Sequence, residues 1–388
     1  MKLKRISGVL YGIGQFVNRF YLRRLNLEIK DENAPRLDKP YIIFANHSSV
    51  MDYRLTSFLL RKSKPYHVAA KNQFAGRRRL MYKIGALPKV QFLPDVALVR
   101  DIERAVKLGK SVVIFPEGVV SFDGTNRELP FSAAKLVRHL GVGVAVIKIK
   151  GSYLVKPRFN EVFHKSGKTE VEFFGCLSAE QVKAMSADEI HGALKEALRF
   201  DVWEWNLKNN VATKGDLSVG MDNLLYECAV CGGKTAVKDG RLVCGKCGSA
   251  WNVDKYYRLA GCGEFNIHEW FEIQRRRAAE AAISGEFRME EEVSVMILDG
   301  FRGFKKAGNG MYIHGADGVS FTGEIGGQKT ELFFDGAKYP SAPAGNDFIE
   351  FTLRGVTYRF YFKTKGAAIK SALHAEEIFK IKNKKRSR

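Results

Sequence analysis

The sequence predicts an α/β layered domain with a mostly parallel sheet, then a small four-cysteine module, then a C-terminal antiparallel β-sandwich closed by a helix. Three observations lead there. Short apolar, β-rich runs at 41–45, 66–70, 111–115 and 144–149 alternate with helix patterns at 52–62, 74–84, 96–109 and 131–140. That alternation builds parallel sheets covered by helices. Two Cys-x2-Cys pairs follow at Cys228/Cys231 and Cys244/Cys247. From Val293 the period becomes two, in runs at 293–298, 311–314, 318–324, 329–334, 347–353 and 356–363, and a helix pattern covers 367–379. Turn pairs such as Asp299-Gly300 and Asp335-Gly336 separate those runs, as hairpins require.

At 388 residues, with 45% hydrophobic and 12% aromatic content, the chain can fill two or three cores. A formal charge of +21 points to a polyanionic partner, either nucleic acid or anionic lipid. No apolar run reaches the roughly 20 residues a bilayer crossing needs, and no leader with an apolar centre and small-residue cleavage site is evident. Residues 1–30 read as an amphipathic helix lying in a membrane interface. Val9, Leu10, Ile13, Phe16, Val17, Phe20 and Tyr21 recur at helical spacing, flanked by Lys2, Lys4, Arg5, Arg19, Arg23 and Arg24. Cations toward headgroups and aromatics toward acyl chains suit an anionic membrane surface. The expected location is the cytoplasmic face of the cell membrane, held peripherally.

Residues 31–210 form the α/β domain. His47 and Asp52 follow the strand pattern of 41–45 and precede a helix, so both fall on a strand-to-helix loop. Imidazole titrates near neutrality and can take a proton from an alcohol. A carboxylate on its other nitrogen fixes the tautomer and steadies the imidazolium. The run 111–115 ends in a second such loop, Phe115-Pro116-Glu117-Gly118. Lys71, Arg77, Arg78, Arg79, Lys83 and Lys89 lie between the two loops. They read as an approach for phosphate or as a solvated basic face, the two equally for Arg77, Arg78 and Arg79. Cys176, on a late strand, reads as a small core residue. Helices are expected at 178–185 and 187–209.

Asn46-His47-x4-Asp52, then Phe115-Pro116-Glu117-Gly118, then Pro130-Phe131-Ser132-Ala133-Ala134-Lys135 resemble the glycerophospholipid acyltransferases. The likeness is to the bacterial 1-acylglycerol-3-phosphate acyltransferases, over roughly residues 1–200. It implies transfer of a fatty acyl group from acyl-coenzyme A or acyl carrier protein to the free hydroxyl of lysophosphatidic acid or a related lysolipid, giving phosphatidic acid. It also implies catalysis by His47 and Asp52. Asn46, Lys71, Lys89, Phe115, Pro116, Glu117, Gly118 and Ser121 would bind the lysophospholipid acceptor. The chain departs from the family at Glu117-Gly118-Val119-Val120-Ser121, where the family has Thr-Arg-Ser after Glu-Gly. An arginine is a planar clamp for phosphate, so its absence bears on which lysolipid is accepted. Lys89 would supply a point charge instead.

Residues 222–262 resemble a zinc ribbon. Cys228, Cys231, Cys244 and Cys247 offer four thiolates on two knuckles, with Gly232-Gly233 and Gly248 beside the second cysteine of each pair. That set suits structural zinc. Residues 266–284 read as a connecting helix, and 288–380 resembles a pleckstrin-homology-like β domain by architecture alone. Residues 381–388 form a basic, disordered tail. The leading function is an acyltransferase of phospholipid synthesis. The alternative is a membrane-associated scaffold using the ribbon and the C-terminal domain. A nucleic-acid partner leaves the two loop motifs unexplained.

Overall fold

The computed structural model describes residues 3–23, 25–32, 34–35 and 39–386. They fall into two compact units, residues 1–158 with 162–215 and residues 159–161 with 216–388. Lys2 and Arg24 of the amphipathic pattern, and Ser387 and Arg388 of the tail, lie outside the described residues.

The first unit is built on one sheet. Its strands are β1 (Leu27–Lys30), β2 (Tyr41–Ala45), β3 (Tyr66–Ala70), β4 (Ala86–Lys89), β5 (Val112–Ile114), β6 (Gly143–Lys150) and β7 (Thr169–Leu177). Among the described residues they order as β1-β7-β6-β2-β5-β3-β4. Only β6 and β7 run antiparallel; the other neighbours are parallel. The mostly parallel sheet is therefore as expected. Strand β1 extends the sheet by pairing with Thr169–Glu172 of β7, so the segment 1–30 contributes an edge strand as well as a helix. Strand β4 contains Pro88 and lies at the opposite edge, where a missing N–H breaks no ladder.

The helices are α1 (Gly8–Leu22), α2 (Asp52–Leu59), α3 (Arg78–Lys83), α4 (Val96–Lys107), α5 (Phe131–Leu140), α6 (Ser152–Val155), α7 (Ala179–Ala184), α8 (Ala187–Leu198) and α9 (Val202–Asn209). Strand β2 is buried on both faces. Ile42 and Phe44 join Leu98, Ile102, Val137 and Leu194 on one side, and Ile43 and Ala45 join Leu55 and Leu60 on the other. Each such Ile, Leu or Phe gains about 1.5–3 kcal/mol on full burial, which is why central strands read as continuous apolar runs.

Two expected helices are interrupted. The pattern at 74–84 resolves into a 3-10 turn, Lys71–Phe74, and α3, separated by Gly76 at φ +67. The pattern at 187–209 resolves into α8 and α9. Asp201 starts the second by accepting hydrogen bonds from Trp203 N at 2.7 Å and Glu204 N at 3.2 Å, so N-cap chemistry overrides an apolar period that runs on. Cys176 is exposed rather than part of the core.

The second unit carries the ribbon strands β8 (Thr235–Lys238), β9 (Arg241–Cys244), β10 (Ala250–Val253), β11 (Leu259–Gly261) and β12 (Gly263–Phe265), paired in sequence order and antiparallel. Helix α10 (Ile267–Ser284) follows. Next come β13 (Arg288–Asp299), β14 (Gly303–Gly315), β15 (Gly318–Ile325), β16 (Gln328–Asp335), β17 (Phe348–Leu353) and β18 (Val356–Phe362). These six pair antiparallel in one continuous ladder, β16-β15-β14-β13-β18-β17. The six strands of residues 288–362 thus lie in one sheet, not divided between the two of the expected sandwich. Helix α11 (Ala367–Arg386) runs on through the segment expected to be a disordered tail. Lys382 there pairs with Asp317 at 2.7 Å, and Asn383 donates to the carbonyl of Ala337; these contacts hold the basic end in helical register.

Candidate active site

Strands β2 to β6 are mutually parallel, so their C-terminal ends share one edge of the sheet, where parallel α/β layers collect ligands. His47 leaves β2 there, Lys71 follows β3, Lys89 ends β4, Phe115 leaves β5 and Ser152 follows β6. Residues far apart in sequence thus converge on one rim.

His47 Nδ1 lies 3.0 Å from Asp52 Oδ2. The aspartate is fully buried and heavily bonded. Its Oδ2 also accepts from Ser48 N at 2.7 Å and Ser49 N at 2.8 Å, and its Oδ1 accepts from Ser152 Oγ at 2.7 Å. Four donors on one carboxylate fix its position. Asp52 also opens α2, where negative charge is favoured. The His47 side chain stays 18% exposed, and its ring stacks on Phe115 with centroids 4.3 Å apart. Fixing Nδ1 inward leaves Nε2 as the nitrogen available for a reacting hydroxyl.

The second loop holds the first. Glu117 Oε1 accepts from His47 N at 3.0 Å and Asn126 Nδ2 at 3.1 Å, and Oε2 accepts from Arg127 N at 3.0 Å. Burial pushes the Glu117 carboxyl up, against these donors, which pull it down. Its oxygens are committed to the loops, so it acts on the site through His47. Ser121 N donates to His47 O at 2.8 Å, and Ser121 Oγ donates to Asp123 Oδ1. Gly118 has φ +77, and a Cβ there would stand 3.4 Å from the Phe92 ring, so the turn both needs glycine and leaves little room.

The remaining acceptor residues divide. Asn46 is buried and clamps β2 to β6, donating to Ile149 O at 2.8 Å and accepting from Ile149 N at 2.7 Å. Pro116 is buried beneath the loop. Lys89 Nζ donates to Val90 O and Leu93 O, and burial pulls its pKa down despite Asp95 nearby. Lys71 is half-buried at the start of its 3-10 turn. Sequence reasoning missed Ser152 and Asn126. The only local signal for Ser152 is Gly151, which at φ +78 turns the chain off β6, and a Cβ there would meet Lys168 O at 2.6 Å.

In the second unit, the Sγ atoms of Cys228, Cys231, Cys244 and Cys247 all lie within 4.8 Å of one another. Cys228 and Cys247 are 3.9 Å apart, and Cys231 and Cys244 are 3.5 Å apart. Four sulfurs about 2.3 Å from a tetrahedral zinc would be about 3.8 Å apart, so the set fits that ion. Gly233 N and Lys246 N donate to the Cys231 and Cys244 sulfurs, each at 3.4 Å. From α10, Arg277 donates to the carbonyls of Cys228 and Ala229 at 2.7 and 2.8 Å.

Residues 26–150, which hold both loops, match the family model described as Acyltransferase. No curated protein matches the chain. Among solved structures the chain is similar to the 1-acyl-sn-glycerophosphate (LPA) acyltransferase PlsC from Thermotoga maritima, at 20% identity and a TM-score of 0.40. That likeness covers 49% of this chain and 75% of the other; it is too slight to carry weight beside the family match.

Proposed function

We propose that the first unit transfers a fatty acyl group from acyl-coenzyme A or acyl carrier protein to the free hydroxyl of lysophosphatidic acid or a related lysolipid. The observation that carries this reading is His47 Nδ1 held on a buried, four-donor Asp52, within the segment that matches an acyltransferase family. His47 Nε2 takes the hydroxyl proton, and the acceptor oxygen bonds to the thioester carbonyl carbon. The C–S bond then breaks, and the imidazolium returns its proton to the leaving thiolate, so the ring ends neutral. No residue of the enzyme is acylated. Arg127 and Arg158 place guanidinium groups 5.2 and 4.9 Å from the Phe122 ring, and Arg158 donates to Val120 O at 2.9 Å. They put positive charge beside the loop that has Val120 where the family has arginine. The test is acyl transfer from both thioester donors to a panel of lysolipids on anionic vesicles. Transfer to lysophosphatidic acid supports the full reading, and transfer to none of the panel overturns it.

Ser152 is assigned as a positioning residue. Ser152→Ala removes one of four donors from Asp52, an effect of about 1–1.5 kcal/mol, or about tenfold in kcat. KM for the acceptor should hold. An unchanged kcat, or a loss that falls on KM instead, would leave Ser152 a packing residue only.

The acceptor is proposed to come from a membrane surface met by α1. No helix among the described residues is long and apolar enough to cross a membrane. Helix α1 buries Tyr11, Asn18 and Leu22 and holds α2 through Asn18 Nδ2 to Arg54 O at 2.8 Å and Gln15 Nε2 to Ser57 Oγ at 2.7 Å. Its other face exposes Val9, Ile13, Phe16 and Phe20, the last two at 65% and 53%, with Arg19 and Arg23 alongside. Each phenylalanine withdrawn from water gains about 1.5–3 kcal/mol. Phe16→Glu with Phe20→Glu should therefore weaken vesicle binding at least about tenfold in a sedimentation assay, while turnover of a dispersed short-chain lysolipid persists. Equal binding by the variant would remove α1 from the membrane contact. The four thiolates of the ribbon are proposed to hold structural zinc.

A further inference from the structure

Strand β6 carries Val144, Val146, Lys148 and Lys150 on the sheet face opposite α2. The first two are core. Lys148 continues the same stripe and is only 8% exposed, so an ammonium stands where the alternation calls for another apolar side chain. Its stem is buried while the ammonium reaches the wall of a surface hollow, where it can attract an anion. Among the described residues no carboxylate or other acceptor reaches its Nζ, which instead sits 3.2 Å from the centroid of the Phe174 ring. The neighbouring charges are already engaged or lie outward. Lys150 pairs with Glu172 at 2.7 Å and Glu170 at 3.6 Å, Asp201 caps α9, and Glu196 and Arg199 are exposed.

Lys148 lines an open surface hollow of about 570 Å³, whose wall also includes Phe174, Phe200, Trp205, Arg199, Lys150 and Lys208. Aromatic rings beside an ammonium that no carboxylate bonds describe a ligand with a flat or apolar body and one anionic group. We propose that this cavity binds a small organic monophosphate, with Lys148 as the anchoring cation and Phe174, Phe200 and Trp205 as the surface under the ligand's ring. A phosphate suits an ammonium point charge, whereas a carboxylate is matched better by an arginine fork. Glu196 and Glu204, also in the wall, disfavour a polyphosphate and can accept from hydroxyls of the ligand. The volume suits a mononucleotide-sized molecule. Burial and the nearby Lys150 hold the Lys148 pKa below its ordinary value when no anion is present, which makes the amine reactive as well as unpaired.

The site stands apart from acyl transfer, and its test uses no turnover. Adenosine 5′-monophosphate is titrated into the full-length, zinc-loaded protein by calorimetry, with inorganic phosphate and adenosine as separate arms. Binding is expected to rank the monophosphate first, and Lys148→Met should lower its affinity at least tenfold. In the unmutated protein, acylation of Lys148 by an amine reagent, read by mass spectrometry, should slow at least tenfold with the monophosphate bound, while Lys62, exposed and outside the hollow, labels as before. Absence of binding by both adenosine monophosphate and phosphate would overturn the proposal. So would equal affinity in the variant, or unprotected labelling of Lys148 at saturation.

Discussion

His47→Ala is expected to lower acyl transfer by about 10²–10⁴-fold, the range a positioned general base supplies, with thermal unfolding close to that of the parent. The two halves of that expectation have separate causes. The imidazole is partly exposed and touches the protein mainly through Asp52 and the Phe115 ring, so its loss removes little buried contact. Its backbone, by contrast, bonds to Glu117 and Ser121, and those bonds survive the substitution. Asp52→Asn should cost activity too, because an amide cannot accept from both His47 Nδ1 and the two backbone donors while stabilising an imidazolium. It should also lower stability, since Asp52 is buried and organises the start of α2. Stopped-turnover assays with the best lysolipid, beside calorimetric melts, check both. A His47→Ala protein that retains more than a tenth of parental turnover would take the histidine out of the chemistry. A parent with no transferase activity would leave the scaffold reading.

The loops of this site were legible because their signals are local. Apolar runs mark β2 and β5, and the motif residues follow each run directly. The short edge strands β1 and β4 left weak patterns: four residues each, one containing Pro88. Ser152 was not legible, because its role depends on a left-handed turn at Gly151 that returns a hydroxyl to a residue a hundred positions earlier. Glu117 shows the converse. Its motif was plain in sequence, but only the fold reveals that both oxygens hold loop backbone and the Asn126 amide. Lys148 read as an ordinary strand position, and only the burial of its neighbours shows that its ammonium is out of place. The break between α8 and α9 has a local cause after all, since Asp201 is a strong cap, but the apolar period on either side concealed it.

Removing zinc is expected to unfold the ribbon and lower the stability of the second unit by more than any single side-chain change. Structural zinc in small modules contributes an apparent 10–16 kcal/mol at neutral pH, comparable to or above the net stability of a typical domain, about 5–15 kcal/mol. The strands β8 to β12 are three or four residues long and cannot hold a core alone. What surrounds the four sulfurs couples them to the rest of the unit. Trp251 of β10 meets Trp270 of α10 edge-on with centroids 4.6 Å apart, and Trp270 Nε1 donates to Glu227 O beside the first knuckle at 2.8 Å. Arg277 bonds the carbonyls of that knuckle and pairs with Glu227 at 2.9 Å. Farther along α10, Arg275 pairs with Glu376 and Glu377 of α11 at 3.2 and 3.0 Å. Losing the metal should free the knuckles, wet both tryptophans and loosen α10 from its partners. One zinc per chain by elemental analysis, a red-shifted tryptophan emission on chelation and its reversal by added zinc are the expected results. Cys244→Ser should behave like the chelated protein, because it removes a buried ligand whose sulfur also accepts from two backbone amides. Zinc-loaded protein that melts at the same temperature with and without chelator would show that the four cysteines hold this module by packing alone.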